Sequence, residues 1–255
     1  MARPAASPQP PSPQAPSAGC PMVAHVIVAL CDNVNQGIVP VPKAIGNGQD
    51  PRTNLYWGAR FGVRTYFRNA PGWRPVPAPA TRRDGVLDRV AFRATFTSRP
   101  AFVVAEAWDG ARIRDAIATF LEMASGRERQ TIDLDGVRMD TGGGADVIVF
   151  VGHNGLMDFP APAIAAGSTD AKRDAVVLAC ASRPYFDPLL RRAGATPLVL
   201  TTGLMAPEAY SLEAALRARF TGQEDAAVRR AAAAAYHRFQ KCGERAARRL
   251  FGAAP

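Results

Sequence analysis

The chain has 255 residues, 47% of them apolar, which is room for a packed core in one large α/β domain or two small ones. Its net charge of +9 gathers in an Arg-rich stretch between Arg229 and Arg249, which reads as a solvated helix face in preference to a nucleic-acid or anionic-lipid surface, so no nucleic-acid partner is expected. Four scattered cysteines (Cys20, Cys31, Cys180, Cys242) without a CxxC, and only three histidines (His25, His153, His237), argue against a disulfide framework, a structural zinc site and a multi-histidine metal enzyme. No metal and no other cofactor is expected.

Residues 1–21 form a Pro/Ala/Ser tract that cannot bury enough apolar surface to fold, and residues 22–255 are expected to form one domain. The tract has no apolar h-region, and no run in the chain approaches 18 apolar residues, so no signal peptide or transmembrane helix is expected. A cytoplasmic location is the default expectation, with export if the true N-terminus lies upstream of Met1. Oligomeric state is not legible.

Val23–Leu30 reads as a first strand ending at Cys31-Asp32-Asn33, followed by a Gly/Pro/Asn-rich loop. A helix is expected from Asn54 to Arg68, with Leu55, Ala59, Gly62, Val63 and Tyr66 on one stripe. Residues 70–88 read as a Pro-rich excursion, Val90–Phe96 as an edge or hairpin strand, and Ala101–Glu106 as another strand. Asp109 can cap a helix over Ala111–Ser125, and a small hairpin is expected around Ile132–Met139. Two apolar strands then run up to His153 and Cys180. A short helix over Phe186–Ala193, a strand over Pro197–Thr202, a helix over Ser211–Phe220 and a long closing helix over Ala226–Phe251 complete the chain. Strands alternating with helices imply βαβ units and a mostly parallel sheet.

The two apolar strands that end at His153 and Cys180 carry the candidate chemistry. Asp146-Val-Ile-Val-Phe-Val-Gly-His153-Asn154-Gly155 ends at an imidazole, and Asp174-Ala-Val-Val-Leu-Ala-Cys180-Ala-Ser182 ends at a thiol. Continuous apolar runs of this kind are strands buried on both faces. As parallel neighbours they would bring His153 and Cys180 together at the carboxyl edge of one sheet, where open α/β proteins bind ligands. Thiol and imidazole side by side are the minimum for nucleophilic catalysis. Cys31 is a rival nucleophile, but no histidine is delivered to it.

These blocks resemble the signature of the caspase-like cysteine peptidases (caspases, metacaspases, legumains, gingipains) and the related CHAT domains, in which one apolar strand ends in His-Gly and the next in Ala-Cys. Asn154 stands where those families have glycine. The resemblance implies a caspase-like three-layer α/β/α sandwich that hydrolyses a peptide or protein substrate. Cys180 would be the nucleophile, His153 the general acid/base, and the backbone N–H groups of Cys180 and of Asn154 or Gly155 the oxyanion donors. The loop after the first strand would border the specificity pocket, with Asp32, Asn33, Asp50 and Arg52 as its candidates. An acidic pocket would favour Arg or Lys, and Arg52 would favour Asp. Two other readings remain open: a non-catalytic recognition or scaffolding module of the same fold, and a doubly wound domain binding a small ligand. The latter lacks a G-x-G-x-x-G after the first strand, where Gly37 stands alone.

Overall fold

In the computed structural model, residues 20–81, 83–164, 166–167 and 172–253 are described, so the expected N-terminal tract lies outside them except for its last two residues. The chain builds one seven-stranded sheet from β1 (Met22–Ala29), β2 (Trp73–Val76), β3 (Val86–Ala94), β4 (Ala101–Trp108), β7 (Val147–Val151), β8 (Asp174–Leu178) and β9 (Thr196–Val199), in the order β2-β3-β4-β1-β7-β8-β9. From β4 to β9 all neighbours are parallel, while β2 and β3 pair antiparallel at one edge. Every residue of β4, β7 and β8 is buried, as strands covered on both faces require.

One face is covered by α1 (Val63–Asn69), α4 (Ala209–Phe220), α5 (Asp225–Gln240) and α6 (Glu244–Leu250), which pack Phe67, Leu216, Val228 and Ala247 onto the sheet. The other is covered by α2 (Ile113–Ala124), α3 (Ser182–Arg192) and a hairpin of β5 (Gln130–Leu134) and β6 (Val137–Thr141), through Phe120, Phe186 and Met139. The architecture is thus an α/β three-layer sandwich with a mostly parallel sheet. The β5–β6 turn is Asp135-Gly136 with φ of 53° and 75°, the two positive values of a type I′ turn, which Asp-Gly encodes. Among the described residues no helix is long and apolar enough to cross a membrane.

Two helices differ from the pattern in the sequence. The helix expected from Asn54 begins only at Val63, because residues 54–62 wind into tight turns. There the Asn54 carbonyl accepts from the N–H groups of Trp57, Gly58 and Ala59, at 2.9–3.1 Å. The chain doubles back so closely that a Cβ on Gly58 would stand 2.0 Å from the Arg52 carbonyl oxygen. The long closing helix is broken into α5 and α6. Lys241 (φ 55°) and Gly243 (φ 90°) turn left-handed, and the His237 Nδ1 accepts the Gly243 N–H at 3.0 Å. The short strand β2 lies inside the Pro-rich segment read as an excursion.

A charged cluster is buried inside the hairpin-covered layer. Glu106 of β4 meets His25 of β1 at 3.5 Å, Arg89 of β3 at 3.5 Å and Arg83 at 3.8 Å, and Gly142 donates its N–H to His25 Nδ1 at 3.1 Å. Burial opposes ionisation of Glu106, but its contact with His25 and the charges of Arg89 and Arg83 outweigh it and hold the carboxyl below its usual range. Glu106→Gln leaves the buried Arg89 guanidinium without its counter-charge and Arg83 with Glu128 alone, and is expected to destabilise the fold by about 3 kcal/mol in chemical denaturation. Because the folded carboxyl ionises more readily than the unfolded one, its contribution is complete above the unfolded value of about 4.3 and is lost as pH falls through the lower folded value. Denaturation midpoints measured from pH 6 downward should therefore drop more steeply in the wild type than in Glu106→Gln.

Candidate active site

Register brings the two strand-end residues to one level. Val151 of β7 pairs with Leu178 of β8, and Gly152 donates its N–H to the Leu178 carbonyl at 3.1 Å, so His153 and Cys180 leave the sheet as neighbours. On the other side of β7, Val28 of β1 pairs with Val151. The chain crosses from β1 to β4 in one direction and from β7 to β8 and β9 in the other, so the boundary between β1 and β7 is the switch point of the sheet. A cleft of about 300 Å³ opens there, with His153 and Cys180 in its wall beside Tyr56, Val39, Met157 and Leu204.

His153 is nearly buried, and its Nε2 lies 2.7 Å from Oδ2 of Asp158. With the Asp158 carboxylate accepting, the proton sits on Nε2 and the lone pair on Nδ1, the tautomer a general base needs. Asp158 is delivered by a single 3-10 turn, Gly155–Met157, whose first N–H groups are capped by the Asn154 side chain: Oδ1 accepts from Leu156 at 3.2 Å. The reading of the sequence missed Asp158. The signal available was an Asn cap followed four residues later by a carboxylate, one turn on from the histidine. The same Oδ2 also accepts the Gly37 N–H at 3.2 Å, which fastens the loop after β1 to the histidine's carboxylate.

Cys180 sits at a sharp turn between β8 and α3. Ala181 adopts a left-handed conformation (φ 44°, ψ 42°), unusual for a residue with a Cβ and costing on the order of 1–2 kcal/mol. A buried network holds that turn: Ser182 accepts from the Thr201 N–H at 2.8 Å and donates its hydroxyl to Val177 O at 3.2 Å, while the Ser182 N–H reaches Thr201 Oγ1 at 3.1 Å. Helix α3 starts immediately after, so its positive end lies beside the thiol. The Cys180 Sγ accepts the Met205 N–H at 3.4 Å and lies 3.5 Å from the Met205 carbonyl, and it makes no direct hydrogen bond to His153.

The candidate oxyanion donors separate into two. Gly155 is removed from the set, because its N–H closes a tight turn onto the His153 carbonyl at 3.0 Å. The N–H groups of Cys180 and Asn154 make no hydrogen bond within the described residues. The Asn154 side chain is fully buried and its Nδ2 donates to the Cys180 carbonyl at 2.8 Å, bridging the two strand ends. Asparagine in place of glycine is therefore a strap between the histidine turn and the cysteine turn.

The four pocket candidates line a loop and not the cleft. Asp32 is buried and accepts from Val34, Asn35 and Gln49; burial disfavours its charge, but these hydrogen bonds overcome that and hold its carboxyl low. Asn33 pairs with both backbone groups of Val41, at 2.7 and 3.0 Å. Asp50 and Arg52 bind one another on the surface. The physical reason is local: short Asx side chains hydrogen-bond their own loop before they reach a ligand. Cys31 is fully buried, and burial pushes its thiol up to about 11, so it stays protonated at neutral pH.

Among the described residues no group of three or more His, Cys, Asp and Glu side chains could hold a metal ion. Removing the strap by Asn154→Ala leaves the Cys180 carbonyl and the Leu156 N–H without their partners. A loss of about 1–3 kcal/mol is expected, read as a lowered midpoint in thermal unfolding. Comparison with models of known protein families, with curated proteins and with solved structures gives no match to this chain.

Proposed function

We propose that this protein is a caspase-like cysteine peptidase that cleaves peptide bonds through Cys180 and His153. The observation that carries the reading is the sharing of one cleft by a strand-end thiol and a strand-end imidazole whose far nitrogen is held by a carboxylate. The resemblance of the two strand-end blocks to the caspase-like and CHAT signatures supports it.

In this mechanism His153 Nδ1 takes the proton of the Cys180 thiol as Sγ attacks the carbonyl carbon of the substrate. The S–C bond forms, and the negative charge moves to the carbonyl oxygen, where the N–H groups of Cys180 and Asn154 are the available donors. Collapse breaks the C–N bond, and the leaving amine takes the proton from His153. Water then attacks the thioester, gives a proton to His153, and releases the carboxylic acid and the thiol. Asp158 is a positioning residue: it fixes the tautomer and stabilises the imidazolium formed in each half-reaction.

One observation favours a second reading, a non-catalytic module of the same fold. In this conformation the Cys180 Sγ is engaged by the Met205 backbone and not by His153. Peptidyl electrophiles aimed at thiols separate the two. Under the peptidase reading, labelling falls on Cys180, disappears in Cys180→Ala, slows about 10²-fold or more in His153→Ala, and persists in Cys31→Ser. Labelling or hydrolysis that survives Cys180→Ala overturns the proposal, and a wild type that neither labels nor cleaves is the result the second reading expects. Asp158→Asn is expected to lower kcat by about 10²-fold or more with KM little changed. Asp158→Glu should recover part of that loss, which a purely structural role for Asp158 would not produce.

A further inference from the structure

Resting on the peptidase reading, we infer that the cleft selects a peptide whose residue at the attacked carbonyl is large and apolar, not acidic or basic. Its walls come from the loop after β1 (Ile38, Val39, Val41), from Met157 beside Asp158, and from Leu204 and Met205 after β9. The titratable side chains that line it are His153, Cys180 and Tyr56. Tyr56 adds no charge, because burial and then the neighbouring Cys31 thiol hold its phenol well above its ordinary range. The Asp158 carboxylate, next in the chain to the lining residue Met157, is engaged by His153 and Gly37.

The exposure of three of these residues points the same way. Large apolar side chains are seldom left in water in clusters without a partner. Of the six exposed ones among the described residues, three line this cleft: Val39 at 87% exposure, Leu204 at 78% and Met157 at 47%. They stand at its mouth, so a bound apolar side chain would cover surface that is otherwise wet. A volume of about 300 Å³ holds a side chain of leucine to phenylalanine size together with its flanking backbone. An Asp or Arg side chain would enter with its charge unpaired, which is costly in such surroundings.

The test uses three irreversible thiol-directed peptidyl probes of identical backbone, carrying Leu, Asp or Arg at the acyl position, on the full chain. The Leu probe should inactivate Cys180 about 10²-fold faster than the Asp or Arg probe. Val39→Asp, on an exposed loop and outside the catalytic pair, should raise the Arg-to-Leu rate ratio at least about 10-fold by supplying a counter-charge. Faster labelling of Cys180 by the Asp or the Arg probe, or a ratio unmoved in Val39→Asp, overturns this inference while leaving the peptidase reading in place. If none of the three probes labels Cys180, the peptidase reading itself falls, and the inference with it.

Discussion

The parallel register of β7 against β8 is the constraint from which the rest of the site follows. Parallel pairing with Val151 opposite Leu178 fixes the level at which both strands end, and a slip of one residue would turn every side chain to the opposite face. Full burial on both faces makes such a slip costly, because β7 and β8 contribute to both halves of the core. Val149 and Val176 pack under α4 and α5, while Phe150 and Val177 pack under α2 and α3. The chemistry at the sheet edge is thus positioned by the hydrophobic effect two layers below it.

Beyond the register, the edge is finished by polar contacts that span elements. Asn154 bridges to the Cys180 carbonyl, Ser182 and Thr201 lock the turn after the cysteine, and Asp158 joins the histidine to the loop after β1. Each acts across a gap that backbone pairing leaves open, since parallel strands end without a hairpin to hold their tips together. The proposed peptidase chemistry needs that rigidity, because a thiol and an imidazole on separate loops would share a cleft only part of the time.

The elements that the sequence expressed well are those whose information is local and repetitive. The strands before His153 and Cys180 are continuous apolar runs, and Asp135-Gly136 encodes its own turn, so both emerge from residue pattern alone. The segment from Asn54 to Gly62 has helical spacing of apolar residues, yet Asn54 bonds to both backbone groups of Cys31, 23 residues away, and that tertiary contact replaces the helix. Asp32, Asn33, Asp50 and Arg52 carried the right chemistry for a pocket, but their partners within the loop were not visible in the order of residues. Asp158 was legible only as a turn residue, since its meeting with His153 depends on one turn of 3-10 helix. In the same way, nothing in the chain order announced that His25, Arg83, Arg89 and Glu106 would gather in the interior.

The carboxylate of Asp158 has two partners that belong to different segments of the chain. One is the imidazole, which needs a fixed orientation; the other is the amide of Gly37, which belongs to a loop forming one wall of the cleft. A single oxygen, Oδ2, serves both. Any displacement of that loop large enough to break its tether also changes the charge and hydrogen bonding felt by the ring, so the shape of the recess and the basicity at its floor are mechanically geared together. In the proposed peptidase, the wall that admits the substrate and the base that acts on it would share that one oxygen as their common anchor.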